Sequence, residues 1–305
     1  MMNRPPYLVP GDKIAIAAPA RKVTEEELTP AIRLFHSWGL EVVLPPHLFD
    51  ADNQFAGDDE TRARLMQQLL DDSDIRAIVC ARGGYGTVRI IDRLNFTQFQ
   101  AKPKWIVGYS DVTVLHSHIH QNHNTETLHG VMPINVPEDA WRKTYPATET
   151  LRKALFGEGL DYSCKPHPLN RPGKAKGMLV GGNLSMLYSL CGTRSSIDTR
   201  DKILFIEDLD EYLYHIDRMM MNLKRNGMLS DLAGLVVGQL SDMHDNTIPF
   251  GKRAEEIVWD NVKEYDYPVC FDFPAGHIGS DNHALILGRI VHLEVGTESR
   301  LVWGI

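Results

Sequence analysis

Four short, mainly apolar runs, at 13–18, 40–44, 75–81 and 105–107, are each followed by a stretch of helical spacing, at 24–38, 59–70, 87–94 and from 111 onward. Short apolar runs read as buried strands, whereas apolar residues recurring every three or four positions mark one face of a helix. Strands joined through helices do not pair as hairpins. They line up in parallel, and the helices cover both faces of the sheet. The spacing therefore predicts an α/β fold built on a parallel sheet. Local signals agree. Thr24 with Glu27 reads as a capping box opening the first helix, and Gly39 as its stop. In the second helix Ala63, Leu65, Met66, Leu69 and Leu70 are the apolar positions.

Functional groups in such sheets gather at the carboxyl ends of the strands. The run 105–107 ends in Gly108, and Ser110 follows at the tip of the turn into the next helix. That is the order of a nucleophile elbow, with the amide of Asp111 facing the same cleft. The usual pattern has glycine two residues after the serine, where this chain has Val112. A serine also caps helix N-termini, so nucleophile and cap both fit this stretch taken alone. A second strand end carries Arg82, Gly83, Gly84, Tyr85 and Gly86. Three glycines bring backbone amides close to a bound group. The loop could hold a phosphate, complete an oxyanion hole with Asp111, or be a plain tight turn. Its spacing is not that of a dinucleotide loop or a P-loop. Arg82 is a cation at the mouth of the same cleft, free to meet a substrate carboxylate or to sit in solvent.

His116, His118, His120 and His123 follow the elbow, and His116 and His120 have metal-ligand spacing on a helix. No cysteine or acidic residue lies among them, so a surface or domain-contact helix is expected and no metal. His129, in the strand-like 127–132, is a further residue that could face the cleft.

Residues 163–176 hold Pro166, Pro168 and Pro172 and few large apolar groups. They are the expected linker between a first domain at 1–162 and a second at 177–305. In the second, strands are expected at 177–180, 202–206, 234–238, 269–273, 284–287 and 290–295. Helices are expected at 184–190, at 213–223 and within 250–265, and Gly181, Gly182 and Asn183 read as a turn. Glu207 ends an apolar strand, and His277 lies between Gly276 and Gly279. Ser110, Glu207 and His277 could form a charge-relay site, which is defined by geometry and not by chain order. Alternatively Glu207 joins Asp208, Asp210 and Glu211 on a solvated or cation-binding loop, and His277 is a turn histidine.

The formal net charge is -8 and the pI about 5.9, which argues against nucleic acid or an anionic membrane as the main partner. No apolar run approaches the ~20 residues of a membrane helix, and 1–10 has no signal-like apolar core. Cys80, Cys164, Cys191 and Cys270 show no paired spacing. A cytoplasmic protein is expected.

Six motifs in order resemble the LD-carboxypeptidase family, the muramoyltetrapeptide carboxypeptidases, together with their microcin C immunity relatives. They are Pro10 to Asp12 with the strand to Pro19; Ala81 to Gly86; Gly108 to Asp111; Gly181 to Leu184; Glu207 and Asp208 with Glu211, Asp217 and Arg218; and Gly276, His277, Leu287 and Gly288. The resemblance implies a flavodoxin-like first domain related to class I amidotransferases and a smaller, β-rich α/β second domain. It implies Ser110 as nucleophile, Glu207 as carboxylate, His277 as base, and oxyanion amides at Asp111 and at Gly83 or Gly84. Arg82 and Tyr85 are the expected substrate-binding residues. The implied activity is hydrolysis of the L,D-amide bond that frees the terminal D-alanine of a murein tetrapeptide in cell-wall recycling, by a homodimer without a cofactor. Cleavage of aminoacyl or peptidyl adenylate analogues is the alternative, although the linker lacks the tryptophan that would stack on a base. A non-catalytic nucleotide- or peptide-binding protein is the alternative of another class. The family often has serine after the first strand's proline, where this chain has Ala20.

Overall fold

Strands buried on both faces need apolar residues at every position, and the first sheet shows why these runs are continuous. The computed structural model describes residues 2–304. Strands β1 (Lys13–Ala17), β2 (Glu41–Val43), β3 (Ile75–Cys80), β4 (Trp105–Gly108) and β5 (Thr127–His129) are all parallel. Ile14, Ile16, Ala77, Val79, Trp105 and Val107 face one core, and Ala15, Ala17, Ile78, Cys80 and Ile106 face the other. Helices α1 (Glu25–Ser37), α2 (Asp59–Asp71), α3 (Thr87–Ile90), α4 (Thr97–Ala101), α5 (Thr113–His123) and α6 (Pro146–Phe156) accompany them. The capping box of α1 is present as expected.

The second sheet is built from β6 (Asp161–Cys164), β7 (Gly173–Asn183), β8 (Lys202–Leu209), β9 (Gly234–Ser241) and β10 (Val269–Cys270), with helices α7 (Leu184–Leu190), α8 (Leu213–Arg225) and α9 (Ala254–Val262). Strand β11 (Leu285–Leu287) precedes β12 (Ile290–Val295) and β13 (Ser299–Trp303). The strand order is β10-β9-β8-β7-β12-β13-β6. The first four are parallel and the rest antiparallel. Strand β11 leaves this unit and pairs antiparallel with β5, so the first sheet has the order β11-β5-β4-β3-β1-β2.

Three expectations need correction. The stretch 163–176 is not a free linker, because its ends lie within β6 and β7. Gly181 and Gly182 are not a turn but part of β7. A Cβ on Gly181 would lie 2.0 Å from Phe205 O, and one on Gly182 would lie 2.5 Å from Thr113 Oγ1, so Gly181 serves close approach of the neighbouring backbone and Gly182 that of the Thr113 side chain. Strand β8 runs past Ile206 to Leu209, which puts Glu207 inside the strand. The second sheet also curls until its edges meet, bringing Cys164 Sγ on β6 within 3.2 Å of Cys270 Sγ on β10. All four cysteines are free.

Helix α5 packs on both α7 and β7, so it is a domain-contact helix. His116 Nε2 donates to Gly108 O at 2.9 Å, His118 Nδ1 meets Ser195 Oγ at 2.8 Å, and His120 Nε2 meets Thr127 Oγ1 at 2.9 Å. Burial lowers His116 and His120 to about 3 and His118 to about 4, which keeps them neutral. Among the described residues no group of acidic, histidine or cysteine side chains is placed to hold a metal ion. No described helix is long and apolar enough to cross a membrane.

Candidate active site

Ser110 occupies the tip between β4 and α5 with φ +63, the left-handed region that a non-glycine residue rarely adopts. Gly108 makes the approach possible: a Cβ there would lie 2.8 Å from Val112 Cγ2. Val112 thus fills the space over Gly108, and a single 3-10 turn, Ser110–Val112, leads into α5. The glycine loop lies directly against the elbow. A Cβ on Gly83 would be 2.9 Å from Ser110 Cβ, 3.0 Å from its Oγ and 3.5 Å from the amide nitrogen of Asp111.

Buried groups hold the two loops together. Arg62 Nη1 donates to Pro19 O at 2.6 Å and to Gly86 O at 3.0 Å. Asp111 Oδ2 accepts from the amide of Thr87 at 2.9 Å. Burial raises the Asp111 carboxyl, against the lowering effect of its hydrogen bonds. The amides of Gly83, Gly84 and Asp111 donate to no acceptor among the described residues. They are open donors beside Ser110.

The second half supplies the pair opposite. The pairing of β8 with β9 slips between Ile206 and Asp208, at Glu207, and such irregularities re-aim a side chain. Glu207 is fully buried. Its Oε2 accepts from His277 Nδ1 at 2.7 Å. Gly276 leaves room for the carboxylate, since a Cβ there would lie 3.0 Å from Oε2. Burial disfavours the charged imidazolium, but the Glu207 charge and hydrogen bond, with Asp208 behind, outweigh it and hold His277 above its ordinary value. The ring of Tyr109 lies 4.8 Å from that of His277.

The acidic set does not form one solvated loop. Asp208 is buried with Glu207. It accepts from Asn183 Nδ2, Ser185 N and Leu209 N at 2.8–2.9 Å. Burial, then the Glu207 charge, pushes it up to about 7. Asp210 and Glu211 instead pair with His244 and His215.

A cavity of about 240 Å³ is lined by Ser110, His277, Gly83, Gly84 and Arg82, all expected from the sequence, and by Arg21, Tyr109, Asn135 and Leu209, which were not. Arg21 follows the end of β1, so the rule of strand ends was the signal that could have found it. Two expected residues lie elsewhere. Tyr85 is absent from the lining and packs by Phe55, 6.1 Å between centroids. His129 lies beneath the cleft, fully buried between Tyr109 and Phe205, with Nε2 donating to Asn282 Oδ1 at 3.2 Å. A strained serine, a histidine hydrogen-bonded to a buried carboxylate and open amides around one cavity are the groups that acyl transfer through a serine ester requires.

Residues 14–130 match the LD-carboxypeptidase N-terminal domain, and residues 176–293 match the LD-carboxypeptidase C-terminal domain. The chain is 38% identical over 281 residues to a probable murein peptide carboxypeptidase of Bacillus subtilis (strain 168), covering 90% of this chain and 86% of the relative. It is 26% identical to the murein tetrapeptide carboxypeptidase of Pseudomonas aeruginosa, over 95% of each chain. Among solved structures, muramoyltetrapeptide carboxypeptidase from Oxalobacter formigenes superposes with a TM-score of 0.85 at 27% identity, covering 96% of this chain and 99% of that one. The microcin C7 self immunity protein MccF shares the fold, with a TM-score of 0.83 at 21% identity over 100% of this chain and 99% of that one.

Proposed function

The chain belongs to the LD-carboxypeptidase family, and from that premise we propose that it is a serine-type carboxypeptidase releasing the terminal D-alanine of murein tetrapeptides. The observation that carries the reading is the Glu207–His277 hydrogen bond of 2.7 Å, whose histidine lines one cavity with the strained Ser110. With Nδ1 bound to Glu207, His277 has Nε2 left to take the Ser110 proton as Oγ attacks the scissile carbonyl carbon. Glu207 fixes the tautomer and stabilises the imidazolium. The amides of Asp111 and of Gly83 or Gly84 receive the oxyanion. The imidazolium then gives its proton to the leaving amine as the C–N bond breaks. Water, deprotonated by His277, cleaves the acyl ester and restores Ser110. Arg82, at the rim, contributes to holding the peptide. A cytoplasmic homodimer completes the reading, testable by cell fractionation and light scattering.

Adenylate analogues are the second substrate class, since MccF has been captured with aspartyl sulfamoyl adenosine. The cavity of about 240 Å³ is below the roughly 300–1,000 Å³ of sites that enclose drug-sized ligands. That size favours the end of a peptide over a peptide with a nucleoside attached. The test is D-alanine release from a muramoyl tetrapeptide. Release by the protein and loss of at least ~10³-fold in Ser110→Ala is the expected result. No release from a folded sample would discard the murein substrate.

A further inference from the structure

We propose that Arg21 grips the free carboxylate of the substrate's terminal residue, and so makes the site an exopeptidase site; this rests on the reaction proposed above. The protein carries a net charge of -8, yet the lining of the Ser110 cavity contains two arginines and no carboxylate. A local reversal of sign against the charge of the whole chain marks where an anion is received. The two arginines differ in availability. Arg82 Nη1 already donates to Lys22 O at 3.3 Å and lies 3.7 Å from Glu27 Oε1. The side chain of Arg21 makes no hydrogen bond or ion pair with any described residue.

Arg21 is nonetheless well placed. Its backbone is clipped on both sides, by Lys22 N donating to Gln54 O at 3.0 Å and Ala56 N donating to Ala20 O at 3.1 Å. Its methylene stem crosses Gly84, where a Cβ would fall 2.5 Å from Arg21 Cδ. Gly84 therefore has two uses: an open amide, and a surface low enough for Arg21 to pass over. Arg21 Nε would lie 2.8 Å from a Cβ on Gly84, and Arg21 lines one cavity with Gly83, Gly84 and Ser110, which brings the carboxylate of a terminal residue, two bonds beyond the scissile nitrogen, within its reach. A planar fork of donors suits a carboxylate in two parallel hydrogen bonds.

The test compares a muramoyl tetrapeptide with the same peptide ending in D-alaninamide, using the full chain. The unaltered protein is expected to prefer the free acid. In Arg21→Gln, kcat/KM for the acid falls about 10- to 100-fold, mainly through KM, and the amide is cleaved as before, so the preference disappears. Arg21→Lys keeps part of it, and Arg82→Gln keeps most of it. Arg21 is exposed, and an unchanged melting temperature verifies that its variants fold. If Arg21→Gln retains the preference, or if the unaltered protein shows none, the assignment is overturned while the reaction stands. If neither peptide is cleaved by the unaltered protein, the reaction and the assignment fall together.

Discussion

In the proposed reaction His277 must be neutral to take a proton from Ser110, and Glu207 favours its charged form. Protonated His277 prevails below its raised pKa, so kcat/KM rises with pH through a value above the ordinary ~6.5. Glu207→Gln removes the charge and keeps an acceptor. The acid limb of the pH–rate profile is then expected to move to lower pH, with kcat reduced by about 10³- to 10⁴-fold. The same shift is a statement about folding. The pair's contribution to stability is full below the unfolded pKa and is lost as pH rises through the folded one. The meeting of Ser110 and His277 in one cavity, and of His277 with Glu207, was legible in the sequence because each is a reactive residue in or after an apolar strand or beside glycines. The three-residue site became specific only when the family motifs were added. Asn135 carries no such local mark, and Arg21 only its place after the end of β1. Their membership of the cavity arises from chain crossings that a one-dimensional pattern does not contain.

Elements were legible where their signals are local. Thr24 Oγ1 accepts from Glu27 N at 3.3 Å, and Glu27 Oε2 accepts from Thr24 N at 2.8 Å. Both bonds lie within four residues, so the spacing alone foretold them. Thr24→Ala is expected to cost about 1 kcal/mol. In calorimetry that is a fall of roughly 2 °C with no change in kcat. The reading failed where an element's limits depend on what packs against it. Gly181 and Gly182 have the composition of a turn, but Phe205 and Thr113 press on them and β7 runs through. Strand β11 is three residues long, and no local feature says which sheet it joins.

Across the whole molecule the two halves are tied by buried polar groups as well as by apolar packing. Arg289, which follows β11, donates from Nε to Glu126 Oε1 at 3.1 Å, and Arg289 Nη1 donates to Tyr7 Oη at 3.0 Å. Arg289 and Glu126 are both more than nine-tenths buried. Arg289→Met leaves the Glu126 carboxylate buried without its partner, which is expected to cost about 3–5 kcal/mol in urea unfolding. Adding Glu126→Gln should recover part of the loss. The joining of β11 to β5 has a further consequence, in time. A ribosome adds ~5–20 residues per second, so the roughly 150 residues between these strands take about 8–30 s to emerge. Throughout that interval β5 is an unpaired edge, open to strands of other nascent chains on the same messenger.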